Sequence, residues 1–367
     1  MIKNDEAHLN IAAISHPGAA GKKNEDRHKV TAFHAGEEER TPAVLAVLCD
    51  GVGGHRAGEI AAEMGVSIIT EVIIAGDSSQ PLKTMQKAIV QASNAIYGAS
   101  KSDQGRKGMG ATCACAWVIG HRLYTANLGD SRIYLLRKGH IVQLTTDHTW
   151  MQEALDAGVI HSLQPDNHPN AHVIRRYLGS KKPPKPDFRL WYFEGEHDED
   201  ALNNQGLPLE PGDRLLLCSD GLTDLVSDEE IRSIVQEGTF DLVPETLLSL
   251  ANDRGGHDNT TIVLLEVPGK RVQQVPKPRK RRWFAGCLIA GIFLLLLVLA
   301  VYFGIQRWSS DINQPTDIPT VVTEPPLIEL FLTEDVPITP TMTQTATLEM
   351  LAPRPTRTPW PTHTSAP

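Results

Sequence analysis

Acidic residues stand at the edges of apolar stretches at five places in this 367-residue chain: Asn24-Glu25-Asp26, Asp50-Gly51-Val52-Gly53-Gly54, Gly129-Asp130-Ser131-Arg132, Ser219-Asp220-Gly221-Leu222-Thr223-Asp224 and Gly256-His257-Asp258-Asn259-Thr260. A lone Asp-Gly is usually a turn. Several of them, each beside a candidate strand, put carboxylates into the space beyond a sheet. There glycine lets the chain turn sharply and its own carbonyl approach an ion. Carboxylates that converge repel one another, and a hard divalent cation, which takes oxygen ligands, offsets that repulsion. No His or Cys cluster has zinc-like spacing, so the expected ion is Mn²⁺ or Mg²⁺ rather than Zn²⁺. This many acids allow two ions. A pair about 3.5–4 Å apart lowers the pKa of a shared water toward neutrality and clamps the oxygens of an in-line displacement at phosphorus.

Such acids need strands to carry them. Apolar and β-branched runs predict strands at 9–15, 44–49, 111–119, 122–127, 131–137, 215–219 and 260–267. Gly120-His121 and Lys138-Gly139 suit tight hairpin turns. Helical periodicity covers 58–75, 82–100, 149–157, 228–236 and 244–252, with Asp228 as the expected N-cap of the fourth helix. Successive hairpins, rather than regular strand–helix alternation, indicate an antiparallel α+β domain.

The tags NED, DGVGGH, MGAT, NLGDSR, SDGLTD and HDNTT occur in this order. The series resembles that of the type 2C, metal-dependent serine/threonine protein phosphatases, over residues 8 to 267, and its spacing is most similar to the bacterial branch. The segment DHTWMQEALDAGVI…NAHVIRRYLGS is similar to that branch's flap beside the catalytic cleft. The resemblance implies a four-layer α/β/β/α sandwich with two central antiparallel sheets. It implies that Asp50 bridges two ions, that Glu25 and the Gly51 carbonyl serve the second, and that Asp220 and Asp258 serve the first. Asp26 would hold a metal-bound water, which fits the opposite facing of neighbouring side chains on a strand. Asp130, with Asp220 and Asp224, would form the third-metal site of the bacterial members, and Asn259 would support Asp258. The implied activity is direct hydrolysis of phosphoserine and phosphothreonine in proteins by a metal-bridged hydroxide. The alternative is a catalytically weak, membrane-anchored phosphoprotein-binding receptor with the same fold.

Two positions depart from the family pattern. Gly21 stands where the family usually has an Arg that grips the substrate phosphate in a planar fork. Lys22 and Lys23 follow it and are the candidates to supply charge there. Val52 replaces a His that some eukaryotic members carry as a proposed general acid. His55 reads as a packing or loop residue. The flap-like histidines His148, His161, His168 and His172 read as solvated or structural, and Arg132 as structural.

The net charge of −9 and an aromatic content of 5% speak against a nucleic-acid partner. The five cysteines form no CxxC pair and read as buried hydrophobes in a reducing compartment. The polar N-terminus lacks the apolar core of a signal peptide. Beyond the expected domain at 8–268 comes a basic linker at 269–282, then the uncharged run 283–305, which as a helix reaches roughly 35 Å, enough to cross a bilayer core of about 30 Å. Lys277, Arg279, Lys280, Arg281 and Arg282 precede this run and suit lipid headgroups, and only Arg307 follows closely. The expectation is a single-pass cell-membrane protein with its large domain in the cytoplasm and its tail outside. The Thr- and Pro-rich residues 306–367 read as a disordered stalk. The expected partners are phosphorylated proteins, membrane lipid and a membrane-anchored serine/threonine kinase held at the same surface.

Overall fold

The segment Thr41–Cys49 reads TPAVLAVLC, and from Ala43 onward every residue is buried. A strand's side chains alternate between two faces, so such a run needs a core on each side. The structure, a computed structural model that describes residues 2–3, 7–36, 40–52, 57–160, 169–269 and 299, provides both. Val44, Ala46 and Leu48 pack in one core with Ile133, Leu135, Leu217 and Val263. Leu45, Val47 and Cys49 pack in another with Ile69, Ile73, Met85 and Ile89.

The first sheet has the order β1 (Ile2–Lys3), β3 (Arg27–Ala35), β4 (Thr41–Cys49), β7 (Cys113–Ile119), β8 (Arg122–Leu128), β11 (Leu207–Pro208). The second has the order β10 (His140–Gln143), β9 (Arg132–Arg137), β12 (Arg214–Cys218), β13 (Thr260–Glu266), β2 (Asn10–His16). All these pairings are antiparallel. A short ribbon joins β5 (Gly51–Val52) to β6 (Gly110–Ala111). Helices α1 (Gly58–Ile74) and α2 (Pro81–Ser102) cover the outer face of the first sheet. On the second sheet, Tyr134, Leu216, Ile262 and Leu264 pack against Ile231, Val235 and Leu247 of α6 (Asp228–Glu237) and α7 (Val243–Asp253). The layers therefore run α/β/β/α, with α3 (Trp150–Asp156), α4 (Asp198–Asn203) and α5 (Asp220–Thr223) in the connections.

Several elements depart from the sequence expectation. β3 was not anticipated, because its charged and imidazole side chains mask the alternation of Val30 and Ala32 toward one core with Phe33 and Ala35 toward the other. The expected strand 111–119 breaks at Thr112, whose N–H turns to Asp50 O. Ser227, not Asp228, caps α6, accepting the Glu230 N–H while the Glu230 carboxylate accepts the Ser227 N–H. The expected membrane span at 283–305, the basic linker beyond Gly269 and the tail at 306–367 lie outside the described residues, save Leu299. Among the described residues no helix is long and apolar enough to cross a membrane.

A buried polar network fixes the β8–β9 turn that carries Asp130. The Gly129 N–H donates to His148 Nδ1 (3.1 Å) and Gly129 O accepts the His148 N–H (2.9 Å). With Nδ1 an acceptor, the ring proton sits on Nε2, which donates to Asp187 Oδ2 (3.2 Å). Asp187 also takes a two-pronged contact from Arg189 and pairs through its backbone with Asn127. Burial alone would raise the Asp187 pKa, but His148 and Arg189 hold it well below the usual carboxylate range. Asp187→Ala, which leaves both partners facing an empty site, should cost about 3–5 kcal/mol in urea unfolding. A depressed carboxylate stabilises the fold above its unfolded pKa of about 4 and loses that contribution as pH falls through the folded value. The wild type should therefore lose more stability below about pH 4 than Asp187→Asn does; identical acid profiles would contradict this role.

Candidate metal centre

Antiparallel register decides where the acids meet. The β3–β4 pairing ends at Arg27↔Cys49, and one further step sets Asp26 across from Asp50. Cys218 of β12 pairs with Arg132 of β9 and Ile262 of β13, so Asp220 leaves β12 at the edge where Asp130 and Asp258 lead into their strands. Cys113↔Leu128 brings the end of β8 to the same edge. Thus Asp26, Asp50, Asp130, Asp220 and Asp258, scattered over more than two hundred positions, converge at one end of the sandwich.

Hydroxyl and amide side chains fasten these ends together. The Asp50 N–H donates to Thr112 Oγ1 (2.8 Å), and the Thr112 and Ser131 hydroxyls lie 2.8 Å apart. Ser219 Oγ donates to Asp26 Oδ2 (2.7 Å) and accepts the Thr261 N–H (2.9 Å). Asn259 Oδ1 accepts the Glu25 N–H (2.7 Å), and its Nδ2 donates to Pro17 O (3.1 Å). Asn259 therefore reaches Asp258 through its backbone N–H (2.8 Å), while its side chain anchors Glu25. Ser219, Thr112, Ser131 and Thr261 were not singled out from the sequence. The only signal was that each sits in one of the tags, three of them acid-bearing and Thr112 in the acid-free MGAT.

Two glycines bring a side chain and a carbonyl to one point. A Cβ on Gly58 would lie 2.6 Å from Glu25 Oε2 and 2.9 Å from Gly51 O. A Cβ on Gly51 would lie 2.5 Å from Gly58 O. Any side chain at Gly58 would displace the Glu25 carboxylate from its place beside the Gly51 carbonyl.

The electrostatics follow from this crowding. Burial, then Asp26, Asp220, Asp130 and Asp258, push the Asp50 pKa well above the carboxylate range. Burial, then Asp130, Asp224, Asp258 and Asp26, do the same to Asp220. Both keep part of their surface open to the cleft even though protein atoms surround them. Asp130 is raised to about 7 by burial and Asp147, with Arg132 opposing. Asp26 is raised by burial against the hydrogen bonds of Ser219, Thr261 and Asp50. Glu25 is raised by burial and Glu59, with Lys23 opposing. Asp26 Oδ1 and Asp130 Oδ1 are buried without any hydrogen-bond partner. Buried acceptors left unpaired are costly, and cations relieve both that cost and the repulsion. The all-oxygen donor set fits hard divalent ions. Among the described residues no three of these side chains form a ready-made cage, so the acids share a field without being drawn in to coordination distance.

The neighbouring residues sort themselves. Lys22 Nζ lies 3.6 Å from Asp258 Oδ1, whereas Lys23 Nζ donates to Glu59 Oε1. Gly21 is exposed, with φ +67°, a conformation that disfavours the arginine expected from the family pattern. Asp224 is partly open and faces His172 (3.8 Å) and His257 (3.9 Å); burial raises its pKa while these two histidines oppose. Of the flap-like histidines, His148 is structural and His172 is solvated apart from its approach to Asp224; His161, His168 and His55 lie outside the described residues. Arg132 is structural, forking onto Asp147.

Comparison with known proteins gives the chain a family. The protein phosphatase 2C family model matches residues 18–253. A serine/threonine phosphatase stp of Listeria monocytogenes is 33% identical over 234 residues, covering 62% of this chain and 86% of that protein. The structure of the Streptococcus agalactiae serine/threonine phosphatase superposes with a TM-score of 0.60 at 33% identity, covering 71% of this chain and 99% of that one. The catalytic domain of the phosphatase PstP, solved in complex with 2 manganese ions, superposes with a TM-score of 0.55 at 32% identity, covering 70% of this chain and 97% of its own. With the family model matched over more than half its length, the chain belongs to the protein phosphatase 2C family.

Proposed function

We propose that this chain hydrolyses phosphoserine and phosphothreonine in proteins with the help of manganese or magnesium ions. The observation that carries this reading is the pair of unpartnered buried oxygens, Asp26 Oδ1 and Asp130 Oδ1, inside a group of mutually repelling acids. Asp50, Glu25 and the Gly51 carbonyl would hold one ion, and Asp50, Asp220 and Asp258 the other. Asp130, Asp220 and Asp224 would hold a third. When bound, such ions supply Lewis acidity and a water acidic enough to serve as nucleophile at neutral pH.

The chain's own groups orient what they hold. Ser219 pins Asp26 Oδ2, which leaves Oδ1 to accept a hydrogen bond from a water held at the site. Asn259 keeps Glu25 beside the Gly51 carbonyl. Lys22, at Asp258, supplies the positive charge toward a substrate phosphate; Lys23 is committed to Glu59. A point charge attracts phosphate without the two parallel bonds of a guanidinium.

The same reading includes a membrane anchor. The uncharged run 283–305, with Lys277 to Arg282 before it, would place the phosphatase domain in the cytoplasm and the tail outside. Contact with lipid headgroups, and a membrane-anchored serine/threonine kinase sharing its substrates, follow from that tether.

With Mn²⁺ and p-nitrophenyl phosphate or a phosphothreonine peptide, Asp50→Asn should lower kcat at least about a hundredfold, and EDTA should abolish turnover. In the same assay Lys22→Ala should raise KM several-fold and Lys23→Ala should leave it near wild type; near-normal turnover by Asp50→Asn would sink the assignment. A carboxyl whose folded pKa is raised stabilises the fold below its unfolded pKa and loses that contribution as pH rises through the folded value. The metal-free protein should thus melt at a higher temperature near pH 5 than near pH 8. Mn²⁺ should raise the pH 8 melting point, by an increment that grows with the logarithm of its concentration above Kd, and a flat profile with no Mn²⁺ response would instead favour a receptor without ions. Full-length protein should sediment with membranes and need detergent for release; recovery in the soluble fraction would remove the anchor.

A further inference from the structure

Outside the acidic cleft, one cavity of the opposite charge opens on the surface. It has a volume of about 450 Å³ and lies between the C-terminal end of α2 with the loop after it, and the segment around Tyr177 to Lys181. Lys101, Lys107 and Lys181 line it together with Tyr97 and Tyr177. The one acid of the lining, Asp103, is already engaged by Arg106 (3.3 Å) and by the Gly105 N–H (2.8 Å). Lys101 Nζ lies 5.6 Å from the Tyr97 ring centroid, and neither Lys107 nor Lys181 makes an ion pair among the described residues. Three unneutralised ammonium groups around one hollow, on a chain of net charge −9, call for an anion.

The backbone says whose anion. Ala111 N–H donates to Leu178 O (3.2 Å) and Leu178 N–H to Ala111 O (2.8 Å), so the cavity wall runs beside β6. On its other side Ala111 pairs with Gly51, the neighbour of Asp50. Two strand spacings of about 4.8 Å each place the wall on the order of 10 Å from the Asp50–Gly51 turn. An extended peptide advances about 3.3 Å per residue, so a chain whose phosphoserine occupies the metal centre reaches the cavity with a side chain about three to five residues away.

We propose that this cavity binds a carboxylate or phosphoryl side chain of the phosphoprotein substrate, lying about three to five residues from the residue being dephosphorylated. The proposal rests on the phosphatase reading and adds a substrate class to it: phosphoproteins with acidic or multiply phosphorylated neighbourhoods.

The full-length protein with Mn²⁺ is assayed on two phosphoserine peptides that differ only in carrying glutamates or alanines at those distances, and on p-nitrophenyl phosphate. The acidic peptide should show about tenfold higher kcat/KM, a preference that fades as salt approaches about 1 M. Lys101→Ala/Lys107→Ala/Lys181→Ala should erase the preference and leave p-nitrophenyl phosphate turnover unchanged. Fluorescence anisotropy with the unphosphorylated acidic peptide reads the cavity without turnover, and the triple variant should bind it more weakly. Equal kcat/KM for the two peptides, a preference that survives the triple substitution, or equal peptide binding by both proteins would overturn the proposal. So would lysine substitutions that only weaken binding to phosphatidylglycerol vesicles, which would assign the lysines to lipid. Absence of p-nitrophenyl phosphate turnover, by contrast, strikes the phosphatase reading itself, and the anisotropy comparison still decides the cavity.

Discussion

Mutual repulsion among buried carboxylates is the constraint around which this molecule is arranged. At one end of the sandwich burial, then Asp26, Asp220, Asp130 and Asp258, hold the Asp50 carboxyl well above its usual range, and the same crowding acts on Asp220. Left to themselves, such groups would move apart or take up protons. They stay together because each sits at the end of a strand whose apolar faces are buried in cores that do not depend on the acids. Each fully buried aliphatic side chain contributes about 1.5–3 kcal/mol, so the many in the sheet–sheet core outweigh the strain collected at its edge.

The polar groups around the acids carry the finer placement. Thr112, Ser131, Ser219 and Thr261 tie neighbouring strand ends together, and Asn259 ties the Glu25 segment to the start of β13. Behind them His148, Asp187 and Arg189 hold the Gly129–Asp130 turn from outside the cleft. These contacts satisfy one oxygen of Asp26 and leave the other open. A scaffold that finished every hydrogen bond would have no place for a cation.

Charge is segregated within a few strand spacings. The acids gather beyond β4 and β12, while Lys101, Lys107 and Lys181 surround a hollow across β6 from Gly51. Lys22 stands at the rim of the acidic cleft, near Asp258. A phosphorylated chain can therefore meet opposite fields for its different groups along one short path.

Much of this could be read in the order of residues. The acid-bearing tags, the apolar runs of β4, β7, β12 and β13, the two tight turns and the long helices α1 and α2 all announce themselves locally, because side-chain period and turn chemistry depend on near neighbours. What local pattern could not convey is whatever depends on register between distant strands. β3 stayed hidden because its core-facing alternation is interleaved with Arg27, His28, Lys29 and His34. Nothing in the adjacent pair Lys22-Lys23 tells which one reaches Asp258 and which Glu59, since that turns on where α1 and β13 come to lie. Gly58 is an ordinary helix start until the fold brings Glu25 and Gly51 within contact of its missing Cβ. The chain by itself determined which acids it possesses and which strands hold them. Only the packing of two sheets, with strand pairings as distant as Asn10 with Glu266, decided that those acids share one field.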